Sequence, residues 1–187
     1  LRKKFPRAHI LGLSRESKKI ALARKRKFIH GGSTKLARVV SGADFILICS
    51  PVDAIPKLIL KVDRWAKPGT VVTDVGSTKK EIVQAADRAR LKRIHFVGSH
   101  PLAGSHLTGL EHARSDLFQG SFVFVTPTRK TNREALRSVS SFWKKLGASV
   151  QTVSPEKHDQ IVSQISHLPH AVASLLMQSI DSKALRF

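Results

Sequence analysis

Residues 44–75, DFILICSPVDAIPKLILKVDRWAKPGTVVTDV, decide how the rest of the chain is read. The apolar run in DFILICS is too short for a helix and ends at Ser50-Pro51, which marks a buried strand. VDAIPKLILKVDRWA reads as a helix and TVVTDV (70–75) as the next strand. The alternation extends in both directions. AHILGL (8–13) reads as a short strand before a basic helix from about Glu16 to Phe28, and Ser77 precedes a helix through about Arg90. RIHFVG (93–98), SFVFVTP (121–127) and SVQTV (149–153) complete the strands, with a long loop over 98–120. Thr131 and Glu134 form a capping box for a helix ending near Gly147. Ser154-Pro155 supplies the N-cap and first-turn proline of another helix, which Pro169 kinks or interrupts. Strands alternating with helices imply an open α/β sheet, parallel at least in its first part.

The 187 residues include 33 Lys and Arg against 13 Asp and Glu, a formal charge of +20. Basic residues crowd the stretch from Arg2 to Lys27. Such a surface suits phosphates, whether of nucleic acid or of an anionic small molecule. With no tyrosine and few aromatics among the cations, a base-stacking platform is poorly supported. No apolar run reaches the roughly 18 residues of a membrane span. The single cysteine, Cys49, excludes an intrachain disulfide framework and fits a reducing compartment such as the cytoplasm.

Ligands of open α/β sheets bind outside the carboxyl ends of the strands. Ser14-Arg15, Ser50-Pro51, Asp74 to Ser77 and the 98–120 loop all fall at that edge. After an early strand of a dinucleotide-binding sheet, an acid bonds the ribose 2′-hydroxyl, whereas an arginine accommodates a 2′-phosphate. GLSRES offers Ser14 and Arg15, with the acid displaced to Glu16. No G-x-G-x-x-G is present, and Gly12 and Gly31-Gly32 lack its strand–loop–helix setting, so a phosphate-binding loop is expected before Leu1.

His100 follows a strand and precedes Pro101, which disfavours helix. A histidine there either accepts a proton from a hydroxyl or simply bonds nearby backbone. Ser77 either orients a substrate or caps the helix after it. His158, His167 and His170 form a second group, but without H-E-x-x-H or a nearby cysteine no metal is expected. The absence of a G-x-S-x-G elbow weighs against a serine hydrolase.

TVVTDVGSTKKEIV (70–83), FVGSHPLAGSHLTGLEHARSDLFQG (96–120), VTPT (125–128), SPEKHDQIV (154–162) and SHLPHAVA (166–173) share an order and spacing. In that order they resemble successive motifs of the prephenate/arogenate dehydrogenases of tyrosine biosynthesis. The resemblance runs from the basic N-terminus to about Leu176. It implies a Rossmann-like nucleotide-binding domain over 1–165, lacking its first strand and glycine loop. The start of an all-helical dimerisation domain would follow over 166–187, and with it a homodimer.

The activity implied is NAD(P)-dependent oxidative decarboxylation of a cyclohexadienol. Hydride passes from the hydroxyl-bearing ring carbon to the nicotinamide, and the ring carboxylate leaves as carbon dioxide. By the resemblance, His100 is the catalytic histidine that accepts a hydrogen bond or proton from the ring hydroxyl. Ser77 orients that hydroxyl, while Ser166, His167 and His170 line the substrate pocket. Ser14, Arg15, Ser50, Pro51 and Asp74 are expected at the cofactor, with Arg15 favouring NADP over NAD.

Position 106 is often acidic in the family and meets the amino group of arogenate. His106 in its place tilts the expectation toward prephenate. The family's substrate-binding arginine is expected beyond residue 187, so the 187 residues alone are expected to lack activity. A small-molecule substrate is implied, with no nucleic-acid or membrane partner, in the cytoplasm or, in a plant, the plastid. The competing readings are a basic, non-enzymatic nucleic-acid-binding protein and an NAD(P) dehydrogenase of a 3-hydroxyacid. The loop and SHLPH motifs weigh against the latter.

Overall fold

The computed structural model describes residues 1–104 and 109–179, apart from the side chains of His167 and His170. Its strands are β1 (Leu11–Leu13), β2 (Gly31–Ser33), β3 (Phe45–Ile48), β4 (Thr70–Asp74), β5 (Ile94–Leu102), β6 (Phe122–Thr126) and β7 (Ser149–Thr152). The helices are α1 (Ser17–Lys25), α2 (Leu36–Val40), α3 (Ile55–Trp65), α4 (Lys80–Arg88), α5 (Arg133–Lys145), α6 (Pro155–Val162) and α7 (Leu168–Ser179). Strands β3 to β7 lie side by side in chain order; only the β5–β6 pairing among them is antiparallel. β1 and β2 form a separate parallel pair.

Successive strand residues point to opposite faces, so each central strand feeds two cores. Val72 of β4 packs with Ile55, Ile59 and Ile82 of α3 and α4, whereas Val71 packs toward Val139 and Trp143 of α5. In α5 the buried residues Ala135, Val139 and Trp143 recur every four positions and form one apolar stripe. Phe142, also on α5, stacks on Phe5 and Phe45 at ring separations of 5.5 and 4.7 Å, which fastens the N-terminal residues to this face. Helices therefore cover both sides of a mostly parallel sheet, the arrangement of a Rossmann-like domain.

Several local features differ from expectation. β5 continues through Leu102, because β6 pairs antiparallel with residues 98–102 and supplies their backbone partners. His100 thus stands within a strand and not in a loop. The N-cap of α5 is Asn132, whose side chain accepts the amides of Glu134 and Ala135 at 2.9 Å. Thr131 instead takes the amide of Thr128 at 2.8 Å. Gly31 and Gly32 lie in β2, where a Cβ on Gly32 would sit 2.4 Å from the Gly12 carbonyl oxygen. These glycines allow β1 and β2 to approach, a packing task and not a phosphate cradle.

After α6 the backbone widens into a π-turn over Ser163–His167 and then resumes as α7. Pro169 has no N–H to offer the preceding turn, and a widened turn absorbs the missing bond without ending the helix. Ser154 caps α6, accepting the Lys157 amide at 3.2 Å, with Pro155 in the first turn. Among the described residues no helix is long and apolar enough to cross a membrane.

Candidate functional site

Parallel pairing of Thr73 with Val97 brings the carboxyl ends of β4 and β5 together. Ser77 lies four residues beyond Thr73, and His100 three beyond Val97, so both reach the same edge of the sheet. Beneath them lies a buried polar anchor. Asp74 and Lys79 form an ion pair with both side chains fully buried. The Asp74 carboxylate also accepts the amides of Gly76 at 2.9 Å and Ser99 at 3.1 Å, and Lys79 Nζ donates to the Ser99 carbonyl at 3.0 Å. Burial pushes the Asp74 carboxyl up from its ordinary pKa and the Lys79 amine down, while the attraction between them opposes both changes.

Ser99 is held at its side chain as well. Its hydroxyl donates to the Asp74 carbonyl at 2.6 Å, receives Trp143 Nε1–H at 3.0 Å, and lies 2.8 Å from Thr73 Oγ1. The backbone immediately before His100 is therefore pinned from three elements. Asp74, expected at the cofactor, has no exposed surface, and its oxygens are engaged inside the chain. Its place is under the site.

Helix α4 begins at Lys80, three residues after Ser77, so Ser77 does not cap it. That task falls to Asp159 of α6, which accepts the amides of Lys79 and Lys80 at 2.8 and 3.0 Å. Ser77 is left exposed in the loop between β4 and α4.

α6 also supplies a partner to His100. His100 Nδ1 lies 3.0 Å from His158 Nε2, and His158 Nδ1 lies 2.7 Å from Asp159 Oδ1. His158 is completely buried, and its ring meets that of Phe124 edge-to-face with centroids 5.3 Å apart. Burial pushes the His158 imidazole below its ordinary pKa, although Asp159 pulls the other way. Burial would raise the Asp159 carboxyl, but the hydrogen bonds from His158, Lys80 and Lys79 outweigh it and hold the pKa low.

The other expected positions are less gathered. Ser14 is half-buried at the end of β1 and accepts the Glu16 amide at 3.2 Å, while Arg15 is exposed. Glu16 turns to Lys19 at 2.7 Å. Ser50 is half-buried and Pro51 exposed just after β3. Ser166 is half-buried in the π-turn; His106 and the side chains of His167 and His170 lie outside the described residues. The sequence reading left Lys79 and Asp159 unassigned and did not pair His158 with His100. The capping signal at Ser154-Pro155 fixes His158 and Asp159 in the first turns of α6, but nothing local names what they meet.

Comparison with known proteins gives these motifs a family. Residues 1–152 match the model of the prephenate dehydrogenase nucleotide-binding domain, and 154–186 that of the prephenate dehydrogenase dimerization domain. A prephenate dehydrogenase of Bacillus subtilis is 34% identical over 190 residues, covering 99% of this chain and 50% of that protein. The chain thus spans about half the length of this relative. A crystal structure of prephenate dehydrogenase from Aquifex aeolicus in complex with hydroxyphenyl propionate and NAD+ superposes with a TM-score of 0.89 at 34% identity. That match covers 96% of this chain and 62% of the other. Synechocystis arogenate dehydrogenase superposes with a TM-score of 0.83 at 30% identity, covering 98% of this chain and 66% of the other. With both domain models matched in order across nearly all of its residues, the chain belongs to the prephenate dehydrogenase family.

Proposed function

We propose that this protein catalyses NADP-dependent oxidative decarboxylation of prephenate or arogenate, with His100 as the group that takes the ring-hydroxyl proton. The observation that carries this reading is the position of His100. It stands on a pinned strand at the carboxyl edge of the sheet, tied to the buried His158 and its partner Asp159, one strand from Ser77. A histidine so held meets the geometric needs of a general base. The relatives named above support the substrate class.

The end of β1 fits a 2′-phosphorylated ribose. Arg15 is exposed with no hydrogen bond or ion pair recorded among the described residues, and the neighbouring acid Glu16 is taken by Lys19. A carboxylate free to bond the 2′-hydroxyl of NAD is therefore lacking at this position, whereas a guanidinium suits the phosphate of NADP. Bound there, the nicotinamide cofactor supplies the hydride acceptor. The chain's own residues do the rest. His100 accepts the hydroxyl proton, Ser77 orients the hydroxyl, and Ser50 and Pro51 border the cofactor beside β3. Ser166, His167 and His170 line the substrate side.

His106 in place of an acid offers no partner to an ammonium group, which favours prephenate over arogenate. The exposed apolar residues Leu168, Val172, Leu175 and Met177 of α7, in the stretch matching the dimerisation model, support a homodimer.

Turnover of prephenate and arogenate, each with NADP+ and NAD+, tests the reading on the protein as its gene encodes it. His100→Asn is expected to lower kcat by about 10²–10⁴-fold. Absence of turnover with both substrates and both cofactors overturns the proposal, and a clear preference for arogenate overturns the choice of substrate.

A further inference from the structure

The chain of rings behind His100 has a definite polarity when read from its charged end. Asp159 is held ionised by His158 and by two backbone amides, so its carboxylate is purely an acceptor. The nitrogen it faces, His158 Nδ1, must carry a proton. His158 is wholly buried, and burial favours its neutral form. A neutral imidazole with a proton on Nδ1 has only a lone pair on Nε2. That lone pair faces His100 Nδ1 at 3.0 Å, so His100 must donate there. We infer that His158, oriented by Asp159, is a positioning residue that locks the imidazole of His100 in the tautomer with its proton on Nδ1 and its lone pair on Nε2.

Three features make the lock rigid. Phe124 meets the His158 ring edge-to-face at an interplanar angle of 86°, and the rings of His100 and His158 meet at 68°. Asp159 cannot swing away without uncapping α4, since it accepts the Lys79 and Lys80 amides. Finally, Ser154 and Pro155 fix the start of the helix that carries both residues. Which nitrogen of a histidine carries the proton is set by the hydrogen bond the other makes. The His158–Asp159 pair thus makes Nε2 the acceptor nitrogen of His100. That this acceptor serves a substrate hydroxyl rests on the function proposed above; the tautomer itself does not.

The test uses long-range ¹H–¹⁵N correlation spectra of the histidine rings in the folded protein, with His100 assigned through a His100→Asn variant. The expected wild-type spectrum has His100 protonated at Nδ1 and unprotonated at Nε2. His158→Phe keeps an aromatic ring against Phe124 but removes the acceptor, and is expected to release His100 toward the Nε2-protonated form. His158→Gln can place its carbonyl oxygen near the position of Nε2, and is expected to restore the Nδ1 proton.

In turnover, His158→Phe should lower kcat roughly tenfold or more with KM little changed, and His158→Gln should recover most of that loss. An Nε2-protonated His100 in the wild-type protein overturns the inference. So does a folded His158→Phe protein with an unchanged tautomer and kcat. The expected spectra in a protein with no dehydrogenase activity would support the tautomer lock and overturn the proposed function, so the two failures are separable.

Discussion

Asp159 accepts the backbone N–H of Lys79 at 2.8 Å across eighty residues of chain. The same carboxylate oxygen takes His158 Nδ1 at 2.7 Å, and His158 passes the contact on to His100. One side chain therefore governs two parts of the candidate site. It fixes the amides just after Ser77, and it orients the ring partner of His100. Helix α6 follows β7, yet the candidate site at the edge of the sheet depends on it.

The buried Asp74–Lys79 pair sets the first prediction. Lys79→Met leaves a carboxylate buried without its counter-charge, and removing one member of a buried pair costs about 3–5 kcal/mol. Urea unfolding should show that loss. The double variant Asp74→Asn/Lys79→Met removes both charges and should recover a substantial part of it. Equal stability of the wild type and Lys79→Met would show that the pair does not hold the β4–α4 loop.

Gly76 carries the second. A Cβ there would lie 2.9 Å from Asp74 Oδ2 and from Ile82 Cδ1, and 3.0 Å from Ile55 Cδ1. All three atoms belong to packed side chains, so the loop must shift. Gly76→Ala should destabilise by about 1–3 kcal/mol and displace Ser77, raising KM or lowering kcat. Gly42→Ala, where a Cβ meets nothing within 4 Å, is the control for a glycine substitution without steric conflict.

The third concerns acid. The His158 imidazole has a folded pKa below its ordinary value, with burial the main cause. As the pH falls below the unfolded value of about 6.5, the unfolded chain binds a proton that the folded chain refuses, so stability rises with pH in this window. The contribution is whole above about pH 6.5 and is lost as the pH falls through the lower folded value. Asp159 adds the same sign further down, present above its unfolded value of about 3.9 and lost as it protonates in the fold. The thermal midpoint should drop between about pH 7.5 and 5.5, and drop less in His158→Gln. An equal drop in both proteins would assign the effect to other groups.

The proposed preference for NADP turns on Arg15. Arg15→Asp places a carboxylate where the exposed guanidinium stands and should weaken NADP+ binding by about 10- to 100-fold while sparing or improving NAD+. Isothermal titration with both nucleotides measures this directly. Unchanged NADP+ affinity would refute the assignment.

Much of the fold was legible in the sequence because its signals are local. The short apolar run of DFILICS, the capping pair Ser154-Pro155 and the glycine after α5 each depend on neighbours a few residues away. Gly147 indeed adopts φ +95°, a helix-ending conformation natural to glycine. The α5 cap was misplaced by one residue because Thr131 and Asn132 are both competent caps, and only the backbone path chooses between them. The extension of β5 past His100 was hidden because its partners lie twenty or more residues further along, in β6.

By itself the sequence determined the strand–helix alternation, the motifs that mark the family, and His100 and Ser77 at one edge of the sheet. Periodicity, caps and motif spacing are properties of the chain in its own order. Only the tertiary structure decided that Asp74 belongs beneath the site and that Ser77 is free of the helix cap. It alone paired His100 with His158. The first depends on β5 bringing Ser99 to Asp74 and the others on where α6 meets His100 and the start of α4; contacts spanning 25, 58 and 80 residues have no local trace.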